Sequence, residues 1–283
     1  MNVRISACLF LAALCASFSV PARAGAALEQ MNKTGTIHCG YVEYAPALVK
    51  DTKTGERSGF DYDVMQSVAE RLGVKVEYTA ATDWATVVAD LDLKKFDMLC
   101  SGFWVHPNVG KFALFSRPEF FQPVFVVARA GDKRFTDATN LNDPALKMVA
   151  LDGDNPVNIA KADFPKAQTV LLPSMADFSQ VLVNVADSKA DFTIVDANTF
   201  GAYNDNNPGK LRIVTPEHPM RIYPVSFVFG KDETVFRDAV NAAMDEMILD
   251  GTMDRIMNKY GKYPHGFYHA TVSYKTDDKK VSK

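Results

Sequence analysis

The chain has 283 residues, about half of them hydrophobic, with a formal net charge of −3. That length is enough for two lobes that each bury a core. The slightly acidic balance argues against nucleic acid or an anionic membrane as the main partner.

Residues 1–24 begin with Arg4 in a short positive region, run through a mostly apolar stretch from Ile5 to Val20, and end Pro21-Ala22-Arg23-Ala24. An apolar stretch too short for a bilayer, followed by an A-x-A site, reads as a secretory signal peptide rather than a membrane anchor. A lipoprotein signal fails on position: Cys8 sits ahead of the apolar run, and Cys15 follows Leu14, too large a residue for that cleavage. The mature protein is expected to start near Gly25 and to be soluble and periplasmic. Losing Arg4 and Arg23 makes the charge more negative, and Cys39 and Cys100 remain in a compartment that oxidises thiols. No other apolar stretch approaches the roughly 20 residues needed to cross a membrane.

Thr36–Tyr41 reads as a strand. Phe60, Val64, Val68 and Leu72 recur every four residues on one helix face, and Gly73 supplies the stop. Val74–Tyr78 alternates as a strand, Asp83 is placed to cap a helix holding Trp84, Val87, Val88 and Leu91, and Asp97–Ser101 is a short apolar strand. The pattern then repeats: strand Lys147–Leu151, helix Val157–Ala162, strand Gln168–Leu172, helix Ala176–Val185, strand Asp191–Val195. Helical spacing returns from Val235 to Ile248, Gly251 breaks it, and a last helix ends near Tyr260. The tail from Thr271, rich in Lys and Asp, reads as poorly ordered. Strand–helix alternation with short links predicts α/β architecture with mostly parallel sheets.

Four blocks in order resemble the family-3 extracellular solute-binding proteins, the polar amino-acid receptors of ABC importers. They are Ser58-Gly59-Phe60-Asp61-Tyr62-Asp63-Val64 with Ala69-Glu70-Arg71-Leu72-Gly73-Val74; Asp97 to Gly102 with Phe115-Ser116; Ala190-Asp191 with Val195-Asp196-Ala197; and Asp250-Gly251-Thr252 with Ile256 and Lys259-Tyr260-Gly261. The resemblance spans about Gly35 to Tyr263. It implies a two-lobed type II periplasmic-binding-protein fold, each lobe a mostly parallel sheet flanked by helices. Lobe 1 would hold residues 25–122 and 228–283, lobe 2 residues 123–227, with hinge strands near Gln122–Val126 and Pro224–Val228. It also implies a monomer that delivers solute to an ABC transporter permease, without a cofactor or catalysis. Fold does not fix function, so an enzyme on the same scaffold, such as a periplasmic dehydratase, stands as the alternative.

The resemblance places Tyr44 and Trp84 as an aromatic sandwich, where ring faces attract cations at ~0.5–2 kcal/mol each. Asp196 falls where the family takes the ligand's amino group, and it also suits a helix N-cap. Ser101, Gly102, Phe103 and Trp104 line the next block, and Gly153-Asp154-Asn155 the second-lobe turn. Three positions depart from the amino-acid receptors. Trp104 stands where the resemblance expects a small hydroxyl residue. The arginine that clamps the ligand carboxylate is replaced by Val109, with Lys111 two residues on and expected to face solvent; and Asp154 stands where a carboxylate would be repelled. A cationic amine-type ligand is therefore expected, with an ordinary polar amino acid as the alternative. The scattered histidines do not predict a metal site. In the resembling fold the strands of Cys39 and Cys100 are neighbours, which leaves either a disulfide or two buried thiols.

Overall fold

A computed structural model describes residues 25–137 and 139–270. The expected signal sequence and the tail from Thr271 lie outside the described residues. The first part of the chain forms α1 (Ala26–Thr34), β1 (Thr36–Tyr41), β2 (Val49–Lys50), β3 (Arg57–Ser58), α2 (Phe60–Leu72), β4 (Lys75–Ala81), α3 (Val87–Asp92), β5 (Met98–Trp104) and β6 (Ala113–Phe115). The middle forms β7 (Phe120–Arg129), β8 (Lys147–Leu151), α4 (Asn155–Asp163), β9 (Gln168–Leu172), α5 (Ser179–Ala186), β10 (Phe192–Asp196), α6 (Ala197–Asn206) and β11 (Leu211–Ile213). It closes with β12 (Arg221–Gly230), α7 (Thr234–Leu249), α8 (Thr252–Tyr260) and β13 (Tyr268–His269).

The fold is α/β and two-lobed, and its halves are built alike. In one, β1 lies between β4 and β5, all parallel. In the other, β8 lies between β10 and β9, also parallel. The sequence alternation predicts these parallel triplets, and the resemblance places crossing strands near Gln122–Val126 and Pro224–Val228, where β7 and β12 run; neither gives their antiparallel pairing. β12 runs antiparallel to β5, β7 antiparallel to β10, and the two pair with each other from Phe120↔Val225 to Val124↔Arg221. A chain that leaves one lobe for the other through a shared sheet adds its strand head-to-tail with its new neighbours, so the sheet is mixed where it crosses.

Apolar packing divides the same way. Phe60, Val64, Met65, Val68, Phe120, Phe227, Phe236, Val240 and Met244 share one cluster, and Val124, Val126, Met148, Ile159, Phe164, Phe192 and Ile194 another. α2 carries out its sequence pattern: Phe60, Val64, Met65 and Val68 are buried, and Gly73 ends the helix at φ 68, donating its N–H to Ala69 and Glu70 carbonyls. β5 is buried along nearly its whole length because the sheet is covered on both faces.

Cys39 and Cys100 are joined by a disulfide with their Cα atoms 5.5 Å apart, which resolves the two readings left open by the sequence. Two helices are absent from the sequence reading. α1 buries only Ala27 and Met31, too sparse a stripe to register, and α6 is rich in Asn, Thr and Gly, with its register fixed by a cap.

Candidate ligand cleft

Between the lobes lies a cavity of about 190 Å³. Of the nine residues expected in the cleft, eight line it: Tyr44, Trp84, Gly102, Phe103 and Trp104 on one wall, and Asp154, Asn155 and Asp196 on the other. Ser101 does not. It is fully buried, and its hydroxyl donates to the Val42 carbonyl at 2.9 Å and accepts from the Val42 N–H at 3.0 Å. Its work is to fasten the end of β1 to β5, so that Tyr44 hangs over the cleft.

The aromatic wall differs from a sandwich. Tyr44 and Trp84 meet edge to face, ring centroids 5.6 Å apart and planes at 73°, and Trp84 meets Phe103 at 5.8 Å. Trp84 thus bridges Tyr44 and Phe103 in a continuous apolar surface, with no slot between Tyr44 and Trp84. Trp84 also stands ahead of α3 rather than in it: the Asp83 carboxylate accepts from Ala85 and Thr86 N–H at 2.8 Å each, forming a turn that starts the helix only at Val87. Trp104 stacks on Tyr223 at 5.0 Å and donates its indole N–H to Gln122 Oε1 at 2.6 Å. It thereby touches both crossing strands.

The acidic wall is built from two helix N-termini. Asp154 caps α4, accepting from Asn155 N–H at 2.7 Å. Asp196 caps α6, accepting from Asn198 and Thr199 N–H and from the Thr199 hydroxyl at 2.7 Å. The cap and the cleft position of Asp196 are compatible, because a carboxylate at a helix start has lone pairs to spare. Burial pushes the Asp154 carboxyl up to about 7, with the Asn155 N–H opposing and the Asp196 charge adding. The Asn155 Nδ2 is buried and finds no acceptor among the described residues.

Val109 lines the cavity, and the exposed Lys111 does not. Among the described residues, no lysine or arginine lines the cavity. The sequence reading missed His106, Asn108, Gln122, Asn158, Phe178 and Thr199. Phe178 and Thr199 start helices α5 and α6, a place a helix-start reading points to; the others carry no local signal. Outward, past Tyr44, Trp84, Phe178 and Thr199, the cavity opens into a wider mouth of about 770 Å³ whose acids are Glu43, Asp83 and Asp177. Glu43 is paired there with Arg57 at 2.7 Å.

Residues 36–263 match the bacterial extracellular solute-binding proteins, family 3. The chain belongs to that family. It is similar to a probable amino-acid ABC transporter-binding protein of Haemophilus influenzae, 27% identical over 87% of this chain and 93% of the relative. It is also similar to the cyclohexadienyl dehydratase of Pseudomonas aeruginosa, 26% identical over 83% of this chain and 85% of that protein. Among solved structures, an ancestral arginine-binding protein bound to arginine superposes with a TM-score of 0.68 at 25% identity, covering 80% of this chain and 98% of its own. Most of the relatives with a stated role are binding proteins, and two, the dehydratase and a lytic murein transglycosylase of which a third is covered, are enzymes.

Proposed function

We propose that this protein is the periplasmic receptor of an ABC importer and that it closes on a small cationic solute lacking an amino-acid carboxylate. The observation that carries the ligand class is the cavity lining: Asp154 and Asp196 on one wall, three rings on the other, and neither lysine nor arginine between them. Acids facing ring surfaces suit an ammonium or guanidinium. A carboxylate closed into the same cavity without a partner costs several kcal/mol of unrecovered hydration.

Lobe 1 is taken as residues 25–122 and 228–283 and lobe 2 as 123–227; the apolar clusters separate along this division except at Val225 and Phe227, which pack in the first-lobe cluster. Closure is then bending at the paired segments of β7 and β12, around a ligand held by both walls. The working form is a monomer that meets a permease, and neither nucleic acid nor a cofactor enters its cycle.

A second reading has its own observation. Asn155 Nδ2, buried without an acceptor beside the start of α4, is a donor that a ligand carboxylate would satisfy if Asp154 were protonated. This makes the protein an ordinary polar amino-acid receptor, in line with the arginine-bound structure. A third, enzymatic reading rests on the dehydratase relative alone.

Calorimetric titration of unliganded protein with matched pairs (arginine and agmatine, lysine and cadaverine, histidine and histamine) separates the first two. The cationic reading expects an amine to bind at least as tightly as its parent amino acid. An amino acid that binds tightly while its decarboxylated partner is tenfold weaker establishes the second. Recovery of a chemically altered ligand after denaturation establishes the third.

A further inference from the structure

Beneath the aromatic wall, sealed from solvent, lie two carboxyls that the cleft chemistry has not yet used. Asp61 in the first turn of α2 and Glu119 just ahead of β7 are both fully buried. Asp61 Oδ2 accepts the Gly102 N–H at 2.7 Å; its Oδ1 and both oxygens of Glu119 have no hydrogen-bond partner among the described residues. They converge on one spot. A methyl added at Gly102 would stand 3.4 Å from Glu119 Oε1 and 3.5 Å from Asp61 Oδ1. Gly102 is also a lining residue of the ligand cavity, and its carbonyl faces the Tyr44 hydroxyl at 3.5 Å. One glycine backbone thus separates the cleft from a buried acid pair.

Two like charges this close in a dry interior cannot both be ionised at modest cost, so one proton between them is the low-energy state. Among the described residues no lysine or arginine bonds either carboxyl. From α2's other neighbours, Arg57 lies against the Tyr41 and Tyr78 rings and pairs with Glu43, Lys259 and Tyr260 hold Asp63, and Arg71 holds Asp250 at the far end of the helix. The Tyr78 and Tyr44 phenols are both raised, first by burial and next by the Asp61 charge, with Glu119 adding to each. On the other side of Glu119 a small void is lined by Met253, Met257 and by His269, whose ring meets the Asp254 carboxylate at 2.9 Å.

We propose that Asp61 and Glu119 share a proton in the empty protein and release it to solvent when a cation seats above Gly102, which makes the buried pair a hidden determinant of the ligand's charge. The inference rests on the cationic reading of the cleft. A cation across a single backbone layer favours the doubly ionised pair, and by linkage the affinity for that cation rises with pH. A neutral ligand of the same shape gains nothing from it.

The test uses the amine and amino-acid panel and counts protons released on binding, by calorimetry at pH 7 in two buffers of different ionisation enthalpy. Wild-type protein is expected to release protons, and its Kd to fall several-fold between pH 6 and pH 8, up to tenfold per proton per pH unit. Asp61→Asn and Glu119→Gln each flatten that dependence while still binding; Asp154→Asn, in the cleft itself, leaves the part carried by the pair. Unchanged proton release in both buried variants overturns the proposal. Should those variants fail to fold, wild-type and Asp154→Asn protein still decide it. A protonated-carboxyl infrared band is expected at pH 7 without ligand and is lost on ligand addition; its absence overturns the proposal. If an amino acid binds and no amine does, the cationic reading falls, while the proton count taken with that amino acid still judges the pair.

Discussion

The two lobes solve the same problem with different materials. Lobe 1 offers rings and a backbone floor, held from behind by a disulfide, the Ser101–Val42 hydrogen bonds and a buried acid pair. Lobe 2 offers two carboxylates that cap the helices they precede. On the proposed reading, recognition and folding use the same atoms on the lobe 2 side and different ones on the lobe 1 side. Substitutions in lobe 2 should therefore move stability and affinity together, and those in lobe 1 should separate them.

The largest effect expected is in lobe 1 and concerns folding alone. The disulfide closes a loop of 61 residues, for which the loop-entropy relation gives ~4 kcal/mol. The double variant Cys39→Ala/Cys100→Ala should lose about that much in urea unfolding, yet bind normally below its transition. A thiol count on unfolded, unreduced protein should find neither cysteine free.

Next is Asp196, where the lobe 2 rule is sharpest. Asp196→Ala removes three cap hydrogen bonds and a ligand charge, so it should cost ~1–2 kcal/mol of stability and at least tenfold in affinity. Asp196→Asn keeps a good cap. Its melting temperature should recover while its affinity does not, and recovery of both would leave Asp196 a cap only.

Trp84 tests the opposite behaviour. It is half-buried against Tyr44 and Phe103. Trp84→Ala should weaken binding by roughly tenfold through lost ring contact with the cation, with little change in the unliganded melting temperature. A drop of several degrees with unchanged affinity would make it a core residue.

The smallest effect is a slope. Asp154 is held near 7, above its ordinary value of 3.8, so the folded state binds a proton that the unfolded state has already lost. A raised acid contributes stability that is fully present below the unfolded value and lost as pH rises toward 7. Unliganded protein should therefore lose stability between pH 4 and pH 7. Asp154→Asn should flatten that decline and gain in relative stability at pH 8 over pH 5, as read by melting temperature.

Much of this was legible in the chain. Period-four apolar residues in α2 with its Gly73 stop and the parallel triplets are local or near-local facts. Cleft residues at helix starts and strand ends were likewise legible, because loops there have little else to do. Ser101 was misplaced for a physical reason: a serine beside a glycine at a strand end has one hydroxyl, and only the position of Val42 decides whether it faces ligand or backbone.

The sequence alone determined the α/β alternation and the order of most of the strands and helices, since these follow from periodicity, caps and residue type. Only the tertiary structure decided that Cys39 bonds Cys100, that β7 and β12 cross antiparallel, that Tyr44 and Trp84 touch instead of facing each other, and that Asp61 and Glu119 meet under Gly102. Each of these is a distance between residues far apart in the chain. Spacing along the backbone fixes which face of an element a side chain occupies; only packing fixes what it meets there.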